Sequence, residues 1–231
     1  MSIKEEAKHK IQWTVKKYIA KDSKEIEEKG IKPYEVVKGN PHNCLLHEGI
    51  ATFLGLLCSI GSEVAYSNTN ARIGVGSGDA NVSAWAASTA YSLGAKVKPT
   101  TANGNVYECT TAGTSGTTEP TWPTVDGATV TDGTVVWTCR TGTPADTQTG
   151  LIATSAYQLY KGMNTTYPLK SGDHNIVFQS DFVAGEAEWA WLEECIDNGA
   201  TATKDLCRQN TSLGTKPAGQ VWRLTGTVTW T

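Results

Sequence analysis

The chain is poor in the groups that announce an enzyme, a metal protein or a membrane span. Its 231 residues include two Met, three Phe and four His. The imidazoles are scattered at His9, His42, His47 and His174. His42 and His47 stand five apart with Glu48 beside them, not at the His-Glu-x-x-His spacing that sets two ligands on one helix face. There is no Gly-x-Ser-x-Gly elbow for a nucleophile. Gly74-Val-Gly76-Ser-Gly78 lacks both the third-glycine spacing of a dinucleotide fingerprint and the Lys of a P-loop, so it reads as a turn. Six Cys, at 44, 58, 109, 139, 195 and 207, form no Cys-x-x-Cys pair and no zinc-type spacing. We therefore assign no catalytic residue, no metal ligand and no cofactor, and expect a protein that is not an enzyme.

Long apolar runs are also missing. None reaches the ~18 residues of a membrane span, and Ile50 to Ile60, interrupted by Thr52, Gly55, Cys58 and Ser59, reads as a core helix. Met1 to Lys10 carries four charged side chains before Lys10 and no apolar stretch of the signal-peptide kind. The expectation is a chain made in a cytoplasm and kept there or released by lysis, with no membrane partner. A net charge of −3 gives no global case for nucleic-acid binding. The charge is uneven, however. Residues 1–38 hold ten Lys against seven Asp or Glu, and the remainder is acidic. Lys4, Lys8, Lys10, Lys16 and Lys17 are candidates for contact with an acidic partner surface. A solvated, charged strand pair is the plainer alternative.

What is present is mostly β pattern. Ile11 to Ile19 alternates apolar and polar as a half-buried strand does. A charged turn over Lys21–Gly30 and a return strand over Tyr34–Val37 would complete an amino-terminal hairpin. Leu46, Ile50, Phe53, Leu54, Leu57 and Ile60 recur at helical spacing, with Asn43 as N-cap and Gly61 as stop, and predict one amphipathic helix. Further strands are expected at Ala71–Val75, Asn175–Phe182, Ala187–Cys195 and Val221–Trp230, with a short helix or irregular turn within Thr149–Tyr160. Glu186, Glu188, Glu193 and Glu194 cluster in sequence. A glycosidase needs two carboxylates, but here they read as the polar side of a half-buried strand. This density of strands and turns predicts a mainly β, antiparallel β-sandwich or jelly roll.

Inside that pattern lies a stretch of different composition. From Trp85 to Cys139 the chain is rich in Thr, Gly and aromatics and holds few charges. Removing it lets Ala71–Asp79 run on into Ala145–Leu151. We therefore expect a host domain of residues 1–82 and 142–231, its first 38 residues a charged hairpin, carrying a small all-β module at 83–141 on an exposed loop. Amphipathic aromatics suit binding surfaces, which makes Trp122, Trp85 and Tyr91 the candidate sugar-stacking residues. Trp122, between Thr121 and Pro123, is the first choice. Several of the aromatics are needed merely to form a core in so small a unit. Cys109 and Cys139 could face each other across two strands, and whether they form a disulfide stays open.

The inserted stretch resembles the small chitin-binding-like or carbohydrate-binding-like modules that recur in phage tail and capsid-associated proteins. The carrying residues are Trp85/Tyr91/Gly94, Asn103-Gly104 with Tyr107, Gly113-Thr-Ser-Gly116 with Glu119-Pro120-Thr-Trp122-Pro123, and Asp132-Gly133 with Trp137. They cover about a quarter of the chain, and Leu93-Gly94-Ala95 departs from the Gly-Asp usual in such modules. The host is similar to a family of phage virion proteins, through Pro41-His42-Asn43-Cys-Leu-Leu-His-Glu-Gly49, Ala71-Arg-Ile-Gly-Val-Gly76, Thr147-Gln-Thr-Gly-Leu151, Leu159-Tyr-Lys161-Gly-Met163, Phe182-Val-Ala-Gly-Glu186-Ala-Glu-Trp189 and Gly214–Trp222. That resemblance implies a structural role in the virion, foremost as a capsid decoration or cement protein contacting the major capsid protein or copies of itself. The alternatives are a tail fibre or tail appendage that binds host-surface glycan, and a stand-alone lectin or the binding part of a glycan hydrolase.

Overall fold

The computed structural model describes residues 9–39, 45–199 and 204–230. In chain order the first elements are β1 (His9–Tyr18), α1 (Ser23–Lys29), β2 (Glu35–Lys38), α2 (His47–Cys58) and β3 (Arg72–Gly76). There follow β4 (Ala90–Tyr91), β5 (Lys96–Val97), β6 (Val106–Thr111), β7 (Gly113–Thr114), β8 (Thr129–Asp132) and β9 (Val135–Arg140). A 3₁₀ turn at Ser155–Tyr157 precedes β10 (Gln158–Gly162), β11 (Leu169–Ser171) and β12 (Asn175–Phe182). The last are β13 (Ala190–Trp191), β14 (Glu193–Asp197), β15 (Asp205–Gln209), β16 (Gly214–Thr215) and β17 (Val221–Trp230). The protein is mainly β, and every pair of named strands is antiparallel.

Two sheets share one core. The first runs β11-β12-β17-β1-β2 and the second β10-β3-β14-β15. Alternation decides the faces of the first sheet. Ile11, Trp13 and Val15 of β1 point inward with Trp222, Leu224 and Val228 of β17 and Phe178 and Phe182 of β12. They meet Ile73, Val75, Ile196 and Cys207 of the second sheet. Trp13 lies opposite Gly226, where a Cβ would stand 2.8 Å from the indole, so the glycine clears space for the ring.

Two strands of the second sheet are buried on both sides. All five residues of β14 and all five of β15 are buried, the charged ones included. Gly74 lies within the expected strand, and Gly76, expected in the turn, is the last residue of β3. A Cβ on Gly74 would lie 2.6 Å from Cys195 Sγ, and one on Gly76 would lie 2.4 Å from Glu193 Oε1. Only Gly78, at φ +57, serves the turn.

Other expectations need correction. The charged segment after β1 is a helix, α1, not a turn. Asp22 Oδ1 accepts from Glu25 N at 2.8 Å as N-cap, Gly30 at φ +59 closes it, and Lys29 pairs with Glu25 one turn back. The strand expected over 187–195 is broken into β13 and β14. Glu186 and Glu188 lie before it, around Ala187 at φ +50.

Helix α2 differs in a more consequential way. It starts after Leu46, whose side chain makes no cap bond, and closes at Ser59 rather than Gly61. Asn43 lies outside the described residues. The face it buries holds Gly49 and Thr52, not the apolar stripe. A Cβ on Gly49 would lie 2.6 Å from Leu206 Cα, so the helix rests directly on the β15 backbone and cannot roll. Leu45 bridges to Cys207, and Leu46 N donates to Leu206 O, which occupies the free edge of β15.

Candidate functional site

Residues 77–157 fill the connection between β3 and β10, which pair with Gln158 opposite Gly76. Within that span, β5-β6-β9-β8 make a sheet of their own, accompanied by the β4-β7 pair. A second hydrophobic cluster is drawn only from this span: Trp85, Val97, Tyr107, Cys109, Val135, Trp137 and Cys139, with Tyr91 and Trp122 packed against it.

One carboxylate organises these rings. Asp132 is 4 % exposed, and its Oδ2 accepts from Trp85 Nε1 at 2.7 Å and Trp137 Nε1 at 3.0 Å. Its Oδ1 accepts from Gly116 N at 2.7 Å, tying in the loop after β7. Two buried indole N–H groups thus find a charged acceptor, as buried polar groups require. Trp85 is therefore buried at its polar edge, and we withdraw it from the stacking set.

Tyr91 packs edge-on against Trp137 with centroids 4.8 Å apart, and its hydroxyl accepts from Ala86 N at 3.0 Å. Trp122 is half-buried. Its ring lies 4.2 Å from that of Tyr107, and its Nε1 donates to Glu119 Oε1 at 2.8 Å. Burial pushes the Glu119 carboxyl up, but hydrogen bonds from Thr100 and Trp122 outweigh it and hold the group below its ordinary value. Asn103 Nδ2 donates to Tyr107 Oη nearby at 2.8 Å. Trp122 thus presents an aromatic edged by a carboxylate, an amide and hydroxyls. Cys109 and Cys139 are both free and buried. The β6–β9 register sets Cys109 opposite Trp137 and Cys139 opposite Tyr107, so they are not cross-strand partners.

The base of this region is fastened by a charge pair, of which the sequence reading placed Glu193 on the polar side of a half-buried strand and gave Arg208 no role. Glu193 and Arg208 are fully buried, with Oε2 2.7 Å from Nη2 and 3.0 Å from Nε. Glu193 also accepts from Ile152 N at 3.0 Å and Ala153 N at 2.8 Å. Arg208 Nη1 donates to Gln148 Oε1 at 2.7 Å and to the Thr141 and Gly142 carbonyls at 3.3 Å. One host pair therefore grips the chain where it returns from the aromatic sheet. Lys96 Nζ donates to Ala153 O at 2.8 Å and Lys98 Nζ to Asp79 O at 2.9 Å, so both crossings are bridged. Val82, Val106 and Ile152 add an apolar joint. A polar cavity of about 260 Å³ remains here, lined by Lys96, Glu108, Arg140, Gly150, Gln158 and Tyr160. Arg140 and Glu108 pair across it at 3.0 Å, and burial lowers the Lys96 pKa.

The amino-terminal cations divide by strand parity. Lys10 and Lys16 are exposed on the outer face of β1, where Lys16 lies opposite Arg223 and Lys10 opposite Thr229. Lys38 of β2 lies opposite Thr14 on the same face. Lys17 shares the inward parity of Ile11, Trp13 and Val15 and is only 6 % exposed. Its Nζ sits 4.3 Å over the Trp222 ring and 3.0 Å from Glu35. We correct its assignment as a partner contact. Lys4 and Lys8 lie outside the described residues. The second outer-face feature is a groove of about 620 Å³ lined by Glu27, Asn164, Tyr167, Asp181 and Arg223, whose charges pair internally.

Comparison with known proteins returns nothing: no family model, no curated protein and no solved structure matches this chain.

Proposed function

We propose that this chain is a non-enzymatic phage structural protein, foremost a capsid decoration or cement protein. In this reading the host sandwich seats on the shell and carries the aromatic sheet outward. The observation that carries it is the placement of that sheet in a hairpin connection, gripped at its base by the buried Glu193–Arg208 pair. A mobile tether would let a displayed unit swing, whereas a buried, multiply bonded joint fixes its direction. The outer face of the five-stranded sheet, with Lys10, Lys16 and Lys38, offers an acidic shell a flat cationic strip. Cement proteins act in many copies, so modest contacts multiply. The glycan-binding role narrows to Trp122, with Tyr91 beside its cluster.

Localising the chain on purified particles by electron microscopy tests this. Density at capsomer junctions is the expected result. Density confined to the tail would replace decoration by a tail appendage. No association with particles would overturn both and leave a lectin. Trp122→Ala should abolish glycan binding on an array while the circular dichroism spectrum stays unchanged. A variant that fails to fold would assign Trp122 to the core alone.

A further inference from the structure

Because α2 sits on its small face, its apolar face is turned away from the protein. Ile50, Phe53, Leu54, Leu57 and Ile60 are 37, 41, 52, 71 and 69 % exposed. Ala51 and Cys58 are exposed among them. Phe53 also stacks on Trp230 of β17 at 5.6 Å. At these exposures the five side chains offer on the order of 500 Å² of contiguous apolar surface, well above scattered surface hydrophobics.

We propose that this face is the seat of a second copy of the chain, α2 packing against α2 about a two-fold axis. The inference stands independently of the virion reading. Three observations favour this occupant. The residues outside the described ones, 1–8, 40–44, 200–203 and 231, contain two large apolar side chains, Met1 and Ile3, too few to cover five. The face is also uncharged. Between residues 47 and 63 there is no Lys or Arg, and both carboxylates turn to their own chain, Glu48 accepting from Asp205 N at 2.8 Å and Glu63 from Thr52 Oγ1 at 3.2 Å. A copy can approach its twin without like-charge repulsion, and an anionic membrane finds no cation to hold. Finally, a two-fold contact pairs the same patch with itself, so two copies would bury on the order of 1,000 Å², the threshold for a specific interface.

Sedimentation velocity of the full chain over a concentration series tests this. The wild type should shift from monomer to dimer. Leu54→Glu/Leu57→Glu should weaken the dimer by about 100-fold or more, with the wild-type circular dichroism spectrum retained and with the concentration dependence of the melting temperature lost. Cys58 lies on the same face and is the one exposed free thiol among the described residues. A short bis-maleimide should therefore link two wild-type chains through it. A wild type that stays monomeric at the highest concentration overturns the proposal. So does a double variant that dimerises as the wild type does.

Discussion

The two hydrophobic clusters solve the same problem by different means. The host core is built from aliphatic and aromatic side chains of two facing sheets, and it tolerates two indoles, Trp13 and Trp189, whose buried N–H groups find no partner among the described residues. Its second sheet then buries one ion pair outright, Glu193 with Arg208, and buries Asp197 against the partly exposed Arg72 at 2.9 Å. The aromatic sheet buries no such pair. Its two fully or nearly buried indoles both donate to one carboxylate, Asp132, while the half-buried Trp122 donates to Glu119. A small unit with few aliphatics gains area from large rings, but each indole then demands an acceptor. The host can spread its polar load over several strands, whereas the aromatic sheet concentrates that of its two buried indoles on one residue.

The largest effect should come from breaking the host's charge pair. Arg208→Ala leaves Glu193 buried and unpaired, and should cost about 3–5 kcal/mol in urea unfolding. Hydrogen exchange should show residues 141–153 losing protection first, since Arg208 and Glu193 hold their backbone. Asp132→Ala comes next, at roughly 2–4 kcal/mol, because it strands two buried indole N–H groups and one backbone N–H. Its damage should stay within residues 85–139. Host strands losing protection in parallel would erase the distinction between the two cores.

A pH series sharpens the comparison from the host side. Burial, and then the charges of Asp197 and Glu48, push the Asp205 carboxyl up to about 8. A carboxyl with a raised folded pKa binds its proton more tightly in the native state. Its contribution to stability is therefore whole at acid pH and is lost as pH rises through about 8. Asp205→Asn, which mimics the protonated form, should stabilise the protein at pH 9 and change little below pH 4. Parallel melting curves for the two proteins across that range would discard the assignment. The smallest effect is reserved for Lys17→Met, expected to cost about 1 kcal/mol through loss of its position over Trp222. Its shift in thermal melt should shrink only in part at high salt, since the half-exposed Glu35 pair is screened and the buried ring contact is not.

Strand periodicity made much of the host legible. The residues of β12 and β17 coincide with the alternating runs read from sequence, and β1 and β2 pair as the expected hairpin. The same alternation could have excluded Lys17, which sits two residues after Val15. Helical periodicity located α2 but inverted its orientation. A stripe of Leu and Ile says that a face is apolar, not what covers it, and the close fit of Gly49 on Leu206 is a tertiary fact. Glu193 and Arg208 were illegible for a related reason: they are polar residues in strands buried on both faces, and their partners are distant in sequence. Asp132-Gly133 reads as a turn, and it is one, but nothing in the dipeptide tells that the Asp side chain turns inward onto two indoles.

The pairing of β1 with β17 fixes an order of events during synthesis. Ile11 waits opposite Val228, so the central seam of the five-stranded sheet joins strands separated by nearly the whole described chain. The aromatic sheet is made earlier and pairs strands close in sequence, such as β8 with β9. Local contacts form faster than distant ones, and chains begin to fold as they emerge from the ribosome. The local pairings of the aromatic sheet can therefore close before β17 is made, whereas the seam between β1 and β17 must wait for it.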